Sequence, residues 1–240
     1  MTLSLSRVLL FVALLGPGLA GADDQASFRA ANEDAARGRY DAALAGYARL
    51  EASAVAAPSL YWNWAQAALG AGRKGEALWA FLTARQLVPG DGAPGREIEK
   101  LRAELGLDPS EISLGLEGDA RLAARRLRFD LIALVILAAS LALAFLPRGR
   151  PAAAGVLLAL AIFLLGPYHF AAWRQVRGVI VQKDAPLMDA ARDDAVALAN
   201  LREGEVVPIL GEEGEFVRIQ DASGARGFAR RADVRTLRVR

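Results

Sequence analysis

Four side chains that donate hydrogen bonds are the best candidates for chemistry in this 240-residue sequence. Asn32 and Asn63 lie in two segments with helical character, and Arg96 and Lys100 stand one helical turn apart further along the chain. Amide and cationic donors that converge on one point bind a carboxylate well, because hydrogen bonds to an ionised acceptor are the stronger ones. If the four converge, they predict a groove for an acidic segment or a free carboxylate. The alternative is that both asparagines are ordinary helix-surface residues that bond to solvent or to a loop.

The residue types that support most catalytic and metal sites are scarce. The chain has no cysteine and one histidine, His169, which excludes disulfides, thiolate catalysis and cysteine-ligated metals. A lone histidine without a nearby carboxylate or thiolate makes a poor metal site, and no glycine-rich phosphate loop is present. Glu212 and Glu213 form a carboxylate pair in a predicted turn, where we expect them to be solvated. We therefore expect no enzyme activity, no cofactor and no metal site.

The sequence repeats at a spacing of 34 residues between positions 27 and 105. The matching pairs are Ala31 with Ala65, Gly38 with Gly72, Ala43 with Ala77, and Tyr47 with Phe81. This period, with small residues where helices cross, is typical of tetratricopeptide repeats, whose units are helical hairpins. We expect both glycines to end the first helix of a hairpin with a positive φ, and Ala43 and Ala77 to be buried. A capping helix at about 95–105 completes a repeat domain over 23–110.

The resemblance to tetratricopeptide modules suggests a partner-binding surface on the concave side of the hairpins. The candidate residues are Phe28, Asn32, Trp62, Asn63, Gln66, Arg96 and Lys100. Modules of this kind that hold the terminal carboxylate of a peptide use asparagines at the positions of Asn32 and Asn63, with basic side chains nearby. The resemblance is partial, because Phe28 stands where that clamp has a lysine and the capping helix is offset.

The first 22 residues have the layout of a secretory signal peptide. An apolar run at 8–15 follows Arg7, a Gly-Pro pair interrupts it, and Ala20 and Ala22 stand two apart just before Asp23. This layout predicts cleavage after Ala22 and export of the chain that follows. The alternative is an uncleaved membrane anchor.

Two apolar blocks, 131–146 and 152–165, contain no charged residue. They predict a transmembrane helical hairpin over 129–173, which a linker at 111–128 precedes. The segment 121–183 contains nine basic side chains and one acidic one, which indicates contact with the headgroups of a lipid bilayer and not with nucleic acid. These features predict a bacterial inner-membrane protein with both soluble modules facing the periplasm. The arginines before the first predicted span oppose this orientation under the positive-inside tendency.

After Arg177 the apolar residues alternate, and glycine turns separate short runs, which predicts a small barrel. The region 178–240 resembles a bacterial SH3-like domain, with the match carried by runs at 201–204, 206–210 and 214–219. That family has tryptophans where this chain has Phe216 and Phe228, and its members often bind peptides or cell-wall material through them. The two phenylalanines are therefore the candidate ligand surface. The alternative is that both are core residues of the barrel.

The order of these segments is similar to that of the BatE-type membrane proteins of bacterial aerotolerance operons, as are Phe28 with Asn32 and the segments 39–43 and 60–63. The resemblance implies partners with von Willebrand A domains, an indirect link to a MoxR-type ATPase, and a role in oxidative-stress tolerance. The expected fold class is a multidomain membrane protein with all-α tetratricopeptide hairpins, a two-helix transmembrane hairpin and a small all-β SH3-like barrel. The expected function is a scaffold that binds protein partners through its tetratricopeptide groove. The alternative is an envelope anchor that binds peptidoglycan or peptide through the SH3-like domain.

Overall fold

A computed structural model of the chain describes residues 22–145, 151–169 and 176–237. The chain divides into two compact units, with the boundary between Ala56 and Ala57. Residues 1–21 of the predicted signal peptide lie outside the described residues.

The first unit contains a helical hairpin formed by α1 (Ala22–Ala36) and α2 (Tyr40–Ala52). Gly38 lies in the turn between the helices with φ +75°, which confirms the expected positive φ. The helices cross closely, because a Cβ added at Gly46 would lie 2.8 Å from the Cβ of Ala31. Ala43 is fully buried, as the repeat predicted, and so is Tyr47.

The second unit begins with three helices, α3 (Pro58–Gly70), α4 (Lys74–Leu87) and α5 (Gly92–Leu105). Gly72 repeats the φ of +75° in the turn after α3, and Ala77 on α4 is fully buried. Helix α4 is buried along most of its length and packs against α3, α5 and the sheet described next. Its buried residues include the polar side chains of Glu76, Thr83 and Gln86, which therefore need partners inside the fold. The side chain of Asp91 caps α5 by accepting a hydrogen bond from Ala93 N at 2.9 Å.

The C-terminal region forms one seven-stranded sheet in which all paired strands are antiparallel. The strands are β1 (Val176–Ile180), β2 (Ala185–Met188), β3 (Ala197–Leu201), β4 (Val206–Glu213), β5 (Phe216–Gln220), β6 (Arg226–Arg230) and β7 (Val234–Leu237). Their order in the sheet is β3-β2-β6-β5-β4-β1-β7. Ile180, Leu187, Val207 and Ile219 are fully buried in its core. Alternation of buried and exposed residues, as in β6, places one face of each strand on this core.

Three further helices complete the second unit, namely α6 (Gly115–Arg126), α7 (Phe129–Phe145) and α8 (Pro151–His169). Helices α7 and α8 pack through small buried residues, including Ala133, Ala154 and Ala161. The hydroxyl of Ser140 donates to the carbonyl oxygen of Ala154 at 2.8 Å, which ties the two helices together. Many large apolar side chains on both helices are exposed, Val135 and Phe163 among them.

The expected fold class is wrong. The described residues form eight α-helices and one open seven-stranded antiparallel sheet, which is a mixed α and β fold. Strands β3 and β7 lie at opposite ends of the sheet and do not pair, so the predicted closed SH3-like barrel is not present in the described part of the chain. The expectation of two transmembrane helices is also not met. Within the described ranges no single helix is both long and apolar enough to cross a membrane, although one bent pair, Gly118–Arg126 with Phe129–Ala144, meets the length and composition criteria jointly.

The physical reason for the correction is packing between elements that are distant in sequence. Strands β1 and β7 pack on α4 within the second unit, about 90 or more positions away from it in sequence. Hydrophobic periodicity reports which face of an element is buried, but not which partner covers that face.

Candidate functional site

Strand β7 docks on helices α3 and α4 through five residues that we call the Trp–Arg junction: Trp64, Glu76, Trp79, Arg235 and Thr236. The guanidinium carbon of Arg235 lies 5.0 Å from the ring centroid of Trp64 and 4.8 Å from that of Trp79. Both tryptophans are buried, and their rings meet edge to face with centroids 5.0 Å apart. A planar guanidinium suits this position, because it stacks on aromatic faces and is weakly hydrated.

Hydrogen bonds fix the geometry of the junction. Trp64 Nε1 donates to Glu76 Oε1 at 2.8 Å, and Arg235 Nη2 lies 3.4 Å from the same oxygen. Trp79 Nε1 donates to the carbonyl oxygen of Thr236 at 3.1 Å. Glu76 is only 8% exposed, so these donors and Arg73, which lies 3.5 Å from its other oxygen, replace the water that its carboxylate lacks. The junction therefore holds the helices and the sheet in one arrangement.

A second contact between helices and sheet requires glycine at two positions. A Cβ at Gly75 on α4 would lie 2.7 Å from the carbonyl oxygen of Ile180 on β1. The backbone N–H of Gly75 donates to Glu203 Oε1 at 2.6 Å. Gly204 has φ +88°, and a Cβ there would lie 3.0 Å or less from side-chain atoms of Leu78, Leu105 and Leu107. At Gly75 the two backbones therefore approach too closely for a larger residue without movement, and at Gly204 the positive φ disfavours any side chain.

Arg202 makes a third contact. Its guanidinium forms an ion pair with Glu111 and donates to the carbonyl oxygen of Gly106 at 3.2 Å. Beside it, the buried Glu205 accepts a hydrogen bond from Ala222 N at 2.8 Å. Burial raises the pKa of Glu205, and the backbone donors Ala222 and Arg202 oppose that shift. Three separate contacts thus attach the sheet to the helices of the second unit.

Helix α3 keeps one partly open face, which we call the α3 strip: Trp62, Asn63, Gln66 and Leu69. Gln66 is exposed, and the other three are half-buried. The ring of Trp62 meets that of Phe81 edge to face, with centroids 5.2 Å apart. Trp62 and Gln66 are one turn apart and lie on the same side of the helix. The α3 strip therefore exposes part of the packed Trp62 ring beside the exposed side-chain amide of Gln66.

Phe28 and Asn32, the two predicted site residues of the first unit, both lie next to the buried Tyr47. Asn32 Oδ1 accepts a hydrogen bond from the Tyr47 hydroxyl at 2.8 Å. The ring of Phe28 lies 6.3 Å from that of Tyr47. Burial, reinforced by the charge of Asp34, raises the pKa of Tyr47 to about 12, so the hydroxyl stays protonated and keeps donating at physiological pH. Asn32 thus has a structural partner for its amide oxygen.

The predicted basic residues Arg96 and Lys100 are both exposed on α5. Lys100 Nζ lies 3.9 Å from a carboxylate oxygen of Glu97, a solvent-exposed pair of the kind that contributes little to stability. Asn63, Arg96 and Lys100 belong to the second unit, and Asn32 belongs to the first. The convergence of the four donors stays a prediction.

The two predicted surface phenylalanines of the sheet differ in exposure. Phe216 on β5 is 8% exposed, which leaves little of its ring for a ligand. Phe228 on β6 is half-buried and lies opposite Met188 of β2 and Arg218 of β5.

The junction residues Glu76 and Arg235 are not among the sites predicted from the sequence. One signal was present, because Glu76 is the one acidic residue of α4 and directly precedes the apolar run at 77–82, and a buried acidic residue needs a partner. Nothing in the sequence around Arg235 indicates that its partner is a pair of tryptophans more than 150 positions earlier.

The described residues contain no group of three or more His, Asp or Glu side chains arranged to hold a metal ion. Comparison of the chain with protein-family models, with curated proteins and with solved structures finds no match.

Proposed function

We propose that this chain is a protein-binding scaffold whose α3 strip receives a segment of a partner protein. The observation that carries the proposal is Trp62, a half-buried tryptophan held edge to face against Phe81 on a helix whose opposite face is fully packed. Tryptophan is among the residues most enriched at the energetic centres of protein interfaces, because one rigid side chain offers a large contact area.

The Trp–Arg junction supports the proposal through rigidity. Trp64, on the packed side of helix α3, belongs to the junction, and the α3 strip forms the partly open side of the same helix. A surface that is already ordered loses less conformational freedom on binding, so more of the contact energy becomes affinity. A scaffold gains from this arrangement because the fold does not have to reorganise around each partner.

The proposed partner segment is acidic. Arg96 and Lys100 are exposed on α5 of the same unit and are the cations that would pair with the carboxylates of that segment. The resemblance to BatE-type proteins suggests membrane proteins with von Willebrand A domains as the partners, and a MoxR-type ATPase as an indirect one. A role in oxidative-stress tolerance rests on that resemblance.

The proposed location is the periplasmic side of the bacterial inner membrane. It is supported by the large apolar side chains that α7 and α8 expose, since extended apolar surface marks a site of contact with lipid or protein. Arg125, Arg126 and Arg128 lie in the preceding segment, where they suit anionic headgroups. Fractionation of cells should recover the chain with the membranes, and recovery in the soluble periplasmic fraction would contradict this location.

Binding measurements with a purified von Willebrand A-domain protein test the scaffold proposal. Trp62→Ala should weaken binding roughly thirtyfold or more, as loss of an interface anchor does. Leu198→Ala is the matched control, because Leu198 is an exposed apolar residue on β3 and its loss should change the affinity less than about twofold.

Substitutions at Gln66 separate binding from folding, because that side chain is exposed. Gln66→Glu should weaken the binding of an acidic segment and Gln66→Lys should strengthen it, with both effects shrinking as salt is added. Equal affinity for the wild type, Trp62→Ala and both Gln66 variants would show that the α3 strip is not the binding surface.

The alternative function, peptidoglycan or peptide binding through the sheet, has Phe228 as its remaining candidate, since Phe216 is buried. Sedimentation with purified cell-wall sacculi tests it. Loss of sedimentation in Phe228→Ala, with Trp62→Ala unaffected, would favour the alternative over the scaffold.

A further inference from the structure

The last turn of α4 contains buried polar atoms that no described residue satisfies. Gln86 is 5% exposed, and neither the nitrogen nor the oxygen of its side-chain amide has a hydrogen-bond partner. The same holds for Nε of the neighbouring Arg85. Such atoms are rare in folded proteins, because the lost hydration is not compensated. Three of them on adjacent residues indicate that a further group belongs there.

Two more arginines reach this part of the second unit. Arg125 Nη1 on α6 donates to the backbone carbonyl oxygen of Gln86 at 2.7 Å. Arg177 Nη1 on β1 donates to the carbonyl oxygen of Ser113 at 3.2 Å. The Ser113 hydroxyl in turn donates to Asp119 Oδ2 at 2.6 Å. These bonds connect the end of α4 with α6 and with the start of the sheet.

Positive charge exceeds negative charge in this cluster. None of the ion pairs formed among the described residues includes Arg85, Arg125 or Arg177. Burial lowers the pKa of Arg85 and of Arg177, and the carboxylate of Asp119 opposes the shift in both. Glu99 opposes the pKa shift of Arg85 as well. The three arginines of the cluster thus outnumber the two carboxylates that act on them, and an added anion would offset their loss of hydration.

We propose that this cluster, the α4-end site, binds a phosphate group. Its members are Arg85, Gln86, Arg125 and Arg177. Phosphate oxygens accept hydrogen bonds from guanidinium and from the Gln86 amide nitrogen, with the geometry that arginine favours. The unpartnered amide oxygen of Gln86 needs a donor as well. A protonated phosphate, or a phosphate ester with a neighbouring hydroxyl, supplies that donor, whereas a carboxylate or a sulfate ion does not.

The phosphate has two possible sources with the same chemistry, inorganic phosphate and the headgroup of an anionic phospholipid. Thermal unfolding of the full chain tests the first source, with sodium phosphate, sodium sulfate and sodium chloride compared at equal ionic strength. Phosphate should raise the Tm above the values in sulfate and chloride. Gln86→Leu should abolish that extra increment, because it removes both amide atoms at nearly constant volume.

Two further variants complete this test. Arg85→Gln should also abolish the increment. Arg218→Gln is the matched control, since Arg218 is exposed on β5 and belongs neither to this cluster nor to the arginine segment before α7, and it should retain the increment. Circular dichroism spectra establish that each variant is folded, and Gln86→Leu decides the outcome if Arg85→Gln is not folded.

Co-sedimentation with vesicles tests the second source. Vesicles of phosphatidylglycerol should bind the wild type and Arg218→Gln alike, and should bind Gln86→Leu roughly tenfold more weakly. Phosphatidylcholine vesicles control for apolar contact. A phosphate-specific Tm increment that Gln86→Leu removes supports the free ion, and a vesicle difference without the Tm increment supports the lipid headgroup. If Gln86→Leu behaves as the wild type in both assays, the α4-end site does not exist.

Discussion

The guanidinium carbon of Arg235 lies 4.8 Å from the ring centroid of Trp79, although 156 positions separate the two residues. Arg235 is on β7 at one end of the sheet, and Trp79 is in the middle of the most buried helix. This contact joins the C-terminal strand to the helical part of the second unit. Its loss should therefore be measurable as a loss of stability of the unit, and not only of the sheet.

Arg235→Ala should lower the free energy of unfolding by about 2–4 kcal/mol, because it removes the stacked cation and leaves Glu76 with fewer donors. Arg235→Lys should cost about half as much, since an ammonium keeps the charge but not the planar stacking. Arg218→Ala, at an exposed position on β5, is the control and should change stability by less than about 0.5 kcal/mol. Urea denaturation of the full chain gives these values. Equal effects of Arg235→Ala and Arg218→Ala would show that the junction does not stabilise the unit.

Replacing either of two glycines in neighbouring helices by alanine should change the stability of the fold, in opposite directions for the two positions. Gly95→Ala on α5 should stabilise the fold by about 0.5–1 kcal/mol, because space is open there and alanine has the better helix propensity. Gly75→Ala on α4 should instead destabilise it by about 1–3 kcal/mol, because the new Cβ would lie 2.7 Å from the Ile180 carbonyl oxygen. Thermal unfolding of both variants measures the difference. A stabilising Gly75→Ala would mean that α4 and β1 are not in close contact.

Ala77→Glu tests the packing around α4. Ala77 is fully buried, so the substitution places a carboxylate in the core without a designed partner and should cost about 3–5 kcal/mol. Ala103→Glu makes the same chemical change at an exposed position of α5 and should be nearly neutral. Far-ultraviolet circular dichroism during heating gives the melting temperatures of both variants. A melting temperature unchanged by Ala77→Glu would contradict the burial of this position.

The buried carboxyl of Glu205 makes stability depend on pH. Burial raises its pKa in the folded protein above the value in the unfolded chain. Its contribution to stability is therefore fully present below the ordinary pKa of glutamic acid and is lost as the pH rises through the raised folded pKa. Glu205→Gln removes this dependence. The stability of the variant relative to the wild type should consequently improve as the pH rises over the range above about pH 4, the ordinary pKa of glutamic acid. A relative stability that falls over this range in urea denaturation would show that the carboxylate is favoured by its backbone donors.

The local features were predictable from the residues. The 34-residue repeat led to the turns at Gly38 and Gly72 and to the burial of Ala43 and Ala77, all of which the structure confirms. Alternation of apolar residues likewise indicated short strands in the C-terminal region. Each of these features depends on neighbours within one or two turns of helix or along one strand, so a repeated pattern of residue size and polarity is enough to indicate it.

The apolar blocks were harder to interpret. They indicated two spans, whereas the structure has the helices Phe129–Phe145 and Pro151–His169, packed on each other through small residues. A run of apolar residues reports that water is excluded from most sides of a helix. It does not report the helix length or the group that excludes the water.

The sequence by itself determined where helices turn and which residues of each helix or strand face inward, because backbone hydrogen bonding and side-chain periodicity act over short distances. Only the tertiary structure decided that the sheet stays open, that β7 docks on α3 and α4, and that Arg235 lies against Trp64 and Trp79. The same holds for the grouping of Arg85 and Gln86 with Arg125. These pairings depend on the match in shape and charge between surfaces formed by residues distant in sequence, and no local pattern contains that information.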